Sequence, residues 1–217
     1  MNELSSSDSG GTLFVVSAPS GAGKTSLVRA LLKAEPSMGV AVSHTTRTMR
    51  PEEQDGVNYH FVDTNTFKQL ADRGGFIEWA NVFGNLYGTS IDAANLVLDA
   101  GKNLILEIDW QGAAQVRQKF MGTQSIFIFP PSLAALRQRL EGRGQDDADT
   151  VQKRMDSAFQ ELSHWREFDY LIVNDDFDEA LKQLTSVVNW QGNHLLKSER
   201  QAELKPLISE LLPREDQ

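Results

Sequence analysis

Nine consecutive residues, Ser17-Ala-Pro-Ser-Gly-Ala-Gly-Lys-Thr25, hold the groups needed to grip a polyphosphate. Glycines let successive backbone N–H groups curl around phosphate oxygens, and a helix N-terminus adds the positive end of its dipole. Ser20, Gly21, Ala22 and Gly23 would supply the cradle, Lys24 would reach the β and γ phosphates, and Thr25, with Ser26 beside it, would present a hydroxyl to Mg²⁺. Ala18 stands where the general pattern has a further glycine. The loop implies a bound nucleoside triphosphate without choosing among motors, switches and small-molecule kinases. Three further sets of residues bear on that choice. Asp109 ends an apolar run and is placed either as a second carboxylate near Mg²⁺ or as a turn or cap residue. Arg47 and Arg50, with Tyr59 downstream, suit a phosphate clamp, although two solvated surface arginines read the same way. Arg137, Arg139, Arg143 and Arg154 form a third cationic set, or else a charged helix face paired with Glu141 and the acidic stretch at 146–149.

These residues need elements to hold them. Thr12 to Ser17 is a continuous apolar run, as expected of a strand covered on both faces. A helix pattern follows from Lys24 to about Ala34 and ends at Pro36 and Gly39. Further strands are predicted at Val40–Ser43, Asn103–Asp109, Gln124–Phe129 and Asp169–Val173. Helices are predicted at Ala93–Gly101, Gln111–Met121, Leu133–Glu141, Thr150–Glu167 and Phe177–His194. Alternation of the two element types indicates an α/β fold with a mainly parallel sheet. Two regions interrupt the rhythm. Ser43 to Tyr87 carries short aromatic β-type runs around one short helix and reads as an inserted subdomain. Gly142 to Asp149 is polar, contains two glycines and reads as a loop or lid hinge.

The chain has 217 residues, 40% of them hydrophobic, no cysteine and a formal net charge of −9. A chain of this length buries roughly 70% of its unfolded surface and needs no disulfides. Lack of cysteine excludes a disulfide scaffold, a zinc finger and a thiol nucleophile, and is compatible with a reducing cytoplasm. The acidic balance argues against a nucleic-acid coat and against docking on anionic membranes, but not against a phosphorylated ligand held by local arginines. No apolar run approaches the ~20 residues of a membrane-spanning helix. Residues 1–11 are polar, without the features of a signal peptide, and read as a disordered lead-in; a soluble cytoplasmic protein is expected.

Ser43-His-Thr-Thr-Arg-Thr-Met-Arg-Pro51, Gly56-Val-Asn-Tyr59, Phe76-Ile-Glu-Trp-Ala80, Leu86-Tyr-Gly-Thr89, Ile108-Asp-Trp-Gln-Gly112, Arg139-Leu-Glu-Gly-Arg-Gly144 and Ile172-Val-Asn-Asp175, in this order, resemble the guanylate kinase family. The resemblance runs from about Thr12 to about His194. It implies Mg²⁺-dependent transfer of the ATP γ-phosphoryl group to GMP, giving ADP and GDP, in purine nucleotide metabolism. It also implies a P-loop NTPase-type three-layer core (12–42, 90–130 and 168–194), a mixed α/β GMP-binding subdomain (43–89) and a helical lid (131–167), with 195–217 as a C-terminal extension.

By the same resemblance, Arg47, Arg50, Tyr59 and Tyr87 hold the GMP phosphate. Glu78 reads guanine with Ser43 and Thr89 as hydroxyl partners. Thr89 stands where the family often has serine, and it keeps the hydroxyl. Glu78 lies between Ile77 and Trp79 on a strand-like run and so points away from them, and a carboxylate can accept both guanine donors. Asp109 matches a family aspartate near guanine and the metal. Arg139, Arg143 and Arg154 close on the ATP phosphates, and Asn174 lies near adenine. Lys24, Arg47, Arg139, Arg143 and Arg154 form the catalytic set. The acceptor phosphate is already largely deprotonated near neutral pH, so no histidine is assigned a catalytic role. The alternative is a non-catalytic, guanylate-kinase-like protein-binding module; such modules typically lack the intact phosphate loop that Lys24 and Thr25 preserve here. Leu204, Leu207, Ile208 and Leu211 recur at helical spacing after the resemblance ends, with Pro206 suited to a first turn. Monomer and homo-oligomer are equally compatible with the sequence.

Overall fold

A computed structural model of the chain describes residues 11–82, 84–141 and 148–212. The expected lead-in up to residue 10, the loop residues 142–147, which include Arg143, and the end of the extension lie outside the described residues.

The chain divides into two compact units. One holds the chain as far as Phe14, Pro36–Leu106 and Gln111–Thr123; the other holds Val15–Glu35, Glu107–Trp110 and everything from Gln124. β1 (Leu13–Ser17) passes from the first into the second and is buried at all five positions, as its unbroken apolar run requires.

In the first unit β2 (Met38–Val40) pairs in parallel with β7 (Asn103–Glu107), Met38 facing Asn103 and Val40 facing Ile105. The order there is β2-β7-β1. The strand expected at Val40–Ser43 thus lies two residues earlier, where the parallel partner sets its register. A second, mixed sheet in the same unit has the order β4-β3-β6-β5. It comprises β3 (His44–Thr45), β4 (His60–Phe61), β5 (Phe76–Val82) and β6 (Asn85–Ser90). β3 runs parallel to β4, while β6 is antiparallel to both β3 and β5. α2 (Thr64–Asp72) starts on Asp63, whose carboxylate accepts the Asn65 and Thr66 N–H groups. α3 (Ile91–Asp99) starts on Ser90 in the same way, and α4 (Trp110–Lys119) follows β7.

In the second unit the order is β1-β8-β9, with β8 (Gln124–Phe129) and β9 (Tyr170–Val173) parallel. Ile126, Phe127, Ile128, Phe129, Leu171 and Ile172 are fully buried. α1 (Lys24–Ala34) buries Leu27, Val28 and Leu31, one stripe of its surface. α5 (Leu133–Glu141) and α6 (Ala148–Ser163) follow β8; α6 buries Val151, Met155, Ala158 and Leu162 at helical spacing. α7 (Phe177–Val188), α8 (Lys197–Arg200) and α9 (Lys205–Leu211) follow among the described residues, and Pro206 sits in the first turn of α9.

Candidate active site

The phosphate loop turns between β1 and α1 inside the second unit. Gly21 and Gly23 have φ of 91° and 92°, values that side chains rarely adopt. A Cβ on Gly23 would lie 2.3 Å from Asn174 Nδ2. That amide donates to the Ala22 carbonyl at 2.7 Å, so Asn174, 5% exposed, braces the loop from below. Its backbone carbonyl in turn accepts Arg139 Nη2 at 3.1 Å. Arg139 Nη1 is buried with no hydrogen-bond partner among the described residues, an open donor beside the loop.

No side chain caps α1, and its first turn holds no acidic residue, so its positive end is left for an anion. Lys24 Nζ donates to the Ile108 carbonyl at 3.0 Å. The Thr25 hydroxyl donates to Glu107. Glu107, which pairs with Thr25, is not among the expected site residues. The available signal was its place at the end of the buried run Leu104-Ile105-Leu106 in β7. Glu161 on α6 is a second omission. Its Oε2 accepts the Ser20 N–H at 2.8 Å. Burial pushes its carboxyl above the usual carboxylate range, and Asp109 adds to this, against the opposing pull of Lys24 and the Ser20 N–H. Trp110, next to Asp109, lies flat on His164 just beyond α6, with ring centroids 3.5 Å apart and planes at 6°. His164 Nδ1 is 2.6 Å from Glu167. Arg154 is half-buried on α6, and Ser26 is exposed in the first turn of α1.

The first unit gathers the other set. Glu78 is 4% exposed, and its Oε1 accepts the Thr89 N–H at 3.0 Å. Glu78 and Thr89 face each other across β5 and β6, immediately after a register shift between Phe76 and Glu78. Ser43 Oγ lies 3.1 Å from Thr89 Oγ1. The carboxylate and both hydroxyls expected around guanine therefore meet. Asp109 belongs to the second unit and is described there.

Arg47, Tyr59 and Tyr87 also converge. The Arg47 guanidinium is 5.7 Å from the Tyr59 ring centroid, and the two tyrosine rings meet edge-on at 5.9 Å. The organiser of this cluster is Glu53, absent from the expected set. It accepts Arg47 Nη2 at 2.6 Å through one oxygen and the Arg50 N–H at 2.8 Å through the other. Arg50 itself is exposed.

A glycine-rich loop between a buried strand and an uncapped helix, with a lysine and a threonine opening that helix, defines a P-loop nucleotide-binding protein. The comparisons narrow the class. The guanylate kinase family profile matches residues 10–191. The chain is 56% identical to the guanylate kinase of Chromohalobacter salexigens, over 94% of each chain. It is 54% identical to that of Pseudomonas fluorescens Pf-5, over 93% of this chain and 97% of the relative. A crystal structure of guanylate kinase from Anaplasma phagocytophilum aligns with a TM-score of 0.70 at 31% identity, covering 93% of this chain and 97% of that one. The chain belongs to the guanylate kinase family.

Proposed function

We propose that this protein transfers the γ-phosphoryl group of ATP to GMP, giving ADP and GDP, with Mg²⁺. The observation that carries the reading is the buried Glu78 carboxylate beside the Ser43–Thr89 hydroxyl pair, in a chain that keeps Lys24 and Thr25. A base offering two donors satisfies that carboxylate. Adenine offers none at the corresponding edge and would leave the buried carboxylate without those two donors.

Residues 12–42, 90–130 and 168–194 serve as the core, 43–89 as the GMP-binding subdomain and 131–167 as the lid. Ser20 to Ser26 hold the ATP phosphates, with Asn174 bracing their cradle. Arg47, Arg50, Tyr59 and Tyr87 clamp the GMP phosphate. That phosphate needs no general base, so the protein's work is positioning, exclusion of water and neutralisation of charge. Arg139, with its open Nη1, neutralises the transferring group together with Arg154 and Arg143. Mg²⁺ takes one or two carboxylate or hydroxyl oxygens and leaves its other positions to phosphate and water. The paired Thr25 hydroxyl and Glu107 carboxylate, with Asp109 close along the chain, fit that donor set. When bound, the metal would offset charge on the β and γ oxygens. The cytoplasm is the compartment proposed. No helix among the described residues is long and apolar enough to cross a membrane.

A nucleoside monophosphate panel with ATP and Mg²⁺, read as ADP release, tests the reading. GMP is expected to exceed AMP by on the order of 10⁴ in kcat/KM, the discrimination open to sites that bond a polar group. Faster turnover of AMP or of a pyrimidine monophosphate would overturn it.

A further inference from the structure

β5 is an edge strand of its sheet, so the backbone groups it turns away from β6 have no strand to pair with. In an antiparallel pair those groups come from alternate residues, and on either side of Glu78 they belong to Ile77 and Trp79. Side chains of α4 satisfy both groups of Trp79 and the carbonyl of Ile77. Gln115 Nε2 donates to the Trp79 carbonyl at 2.8 Å, and Gln115 Oε1 accepts the Trp79 N–H at 3.2 Å. One side-chain amide thus completes both halves of a strand's pairing. One helical turn on, Lys119 Nζ donates to the Ile77 carbonyl at 2.9 Å.

The two anchors bracket one residue, Glu78. They act where the ladder to β6 is interrupted by the register shift between Phe76 and Glu78. The inner side of β5 therefore holds its carboxylate through Thr89, and the outer side holds its backbone through α4. A carboxylate that must meet two donors of a base at once depends on both.

We propose that Gln115 and Lys119 are positioning residues for nucleobase selection, setting the orientation of Glu78 from outside the pocket. The inference rests on the reading of Glu78 as the guanine-binding carboxylate. Simple protection of an edge strand is the competing account. It predicts altered stability with unaltered base preference, so the test reads preference.

The test compares GMP with inosine monophosphate, which lacks the 2-amino donor, in wild type, Glu78→Gln, Gln115→Leu, Lys119→Met and Lys119→Arg. Glu78→Gln should collapse the GMP preference. Gln115→Leu should reduce it roughly five- to tenfold, the weight of one net hydrogen bond. That loss should appear in the KM for GMP, with the KM for ATP within about twofold of wild type. Lys119→Met should shift the preference in the same direction, and Lys119→Arg should restore it. Gln115→Leu should add little in the Glu78→Gln background, as coupled residues do. Backbone hydrogen exchange at Trp79 should quicken in Gln115→Leu. A preference unchanged in both Gln115→Leu and Lys119→Met while Glu78→Gln collapses it overturns the inference and leaves the base pocket standing. A preference unchanged in Glu78→Gln overturns the pocket and the inference together. If Gln115→Leu does not fold, an unchanged preference in Lys119→Met is enough to overturn it.

Discussion

Glu53 ties the Arg47 guanidinium to the Arg50 backbone, the pair proposed to clamp the GMP phosphate. Its hydrogen bond to the Arg47 guanidinium, and then the Arg50 N–H, hold its carboxyl below the ordinary value of 4.5. A depressed folded pKa stabilises the native state above the ordinary value, and that stability is lost as pH falls through the lower, folded one. Glu53→Gln should therefore lower the urea midpoint at pH 7. The gap from wild type should close as the comparison is carried down through the acid range below pH 4.5. A gap that stayed constant with pH would mean that the carboxylate's charge is not what holds the clamp. In kinetics the same variant should raise the KM for GMP several-fold and leave the KM for ATP unchanged, because Arg47 and Arg50 lose a shared anchor.

At the scale of elements, the contrast between α1 and α7 separates binding from stability. α7 carries the expected start signals: the Asp176 carboxylate accepts the Glu179 N–H at 2.9 Å, and Asp178 and Glu179 lie in its first turn. α1 has none of these, which leaves its N-terminus open to the phosphate proposed to bind there. Asp176→Ala should cost about 1 kcal/mol and lower Tm by roughly 2–4 °C, with kcat/KM unchanged; a loss of turnover would place α7 in the site. The same contrast explains what could be read from sequence. The phosphate loop was legible because its strand, glycines and Lys-Thr pair are contiguous. Gln124–Phe129 and Leu133–Glu141 were legible because continuous apolar burial and helical spacing each leave a local pattern. Glu53, Glu107 and Glu161 were not, because a carboxylate acquires its role from whatever folding brings opposite it. Gln115 and Lys119 read as ordinary polar positions of a helix until β5, about 40 residues earlier, is seen to lack a neighbour.

At the scale of the whole molecule, the net charge of −9 says little about the proposed chemistry, which would rest on a minority of cations. The described part of the C-terminal stretch packs within the second unit. Leu204, Ile208, Leu211 and Leu212 are buried, and Glu210 accepts the Leu133 N–H that opens α5. Leu211 is fully buried, so Leu211→Ala should cost roughly 2–5 kcal/mol and lower Tm by roughly 5–15 °C. A change below about 0.5 kcal/mol, the size usual for surface positions, would show that the helix is not part of the core.

The flat contact between Trp110 and His164 gives the protein an optical property. An indole with an imidazole lying against its face emits differently from one in open solvent. Trp110 follows Asp109 at the end of β7, and His164 follows the helix that sends Glu161 to the phosphate loop. The emission of that one tryptophan, isolated from the other three by subtracting a Trp110→Phe spectrum, is therefore a built-in gauge of whether the end of α6 is docked.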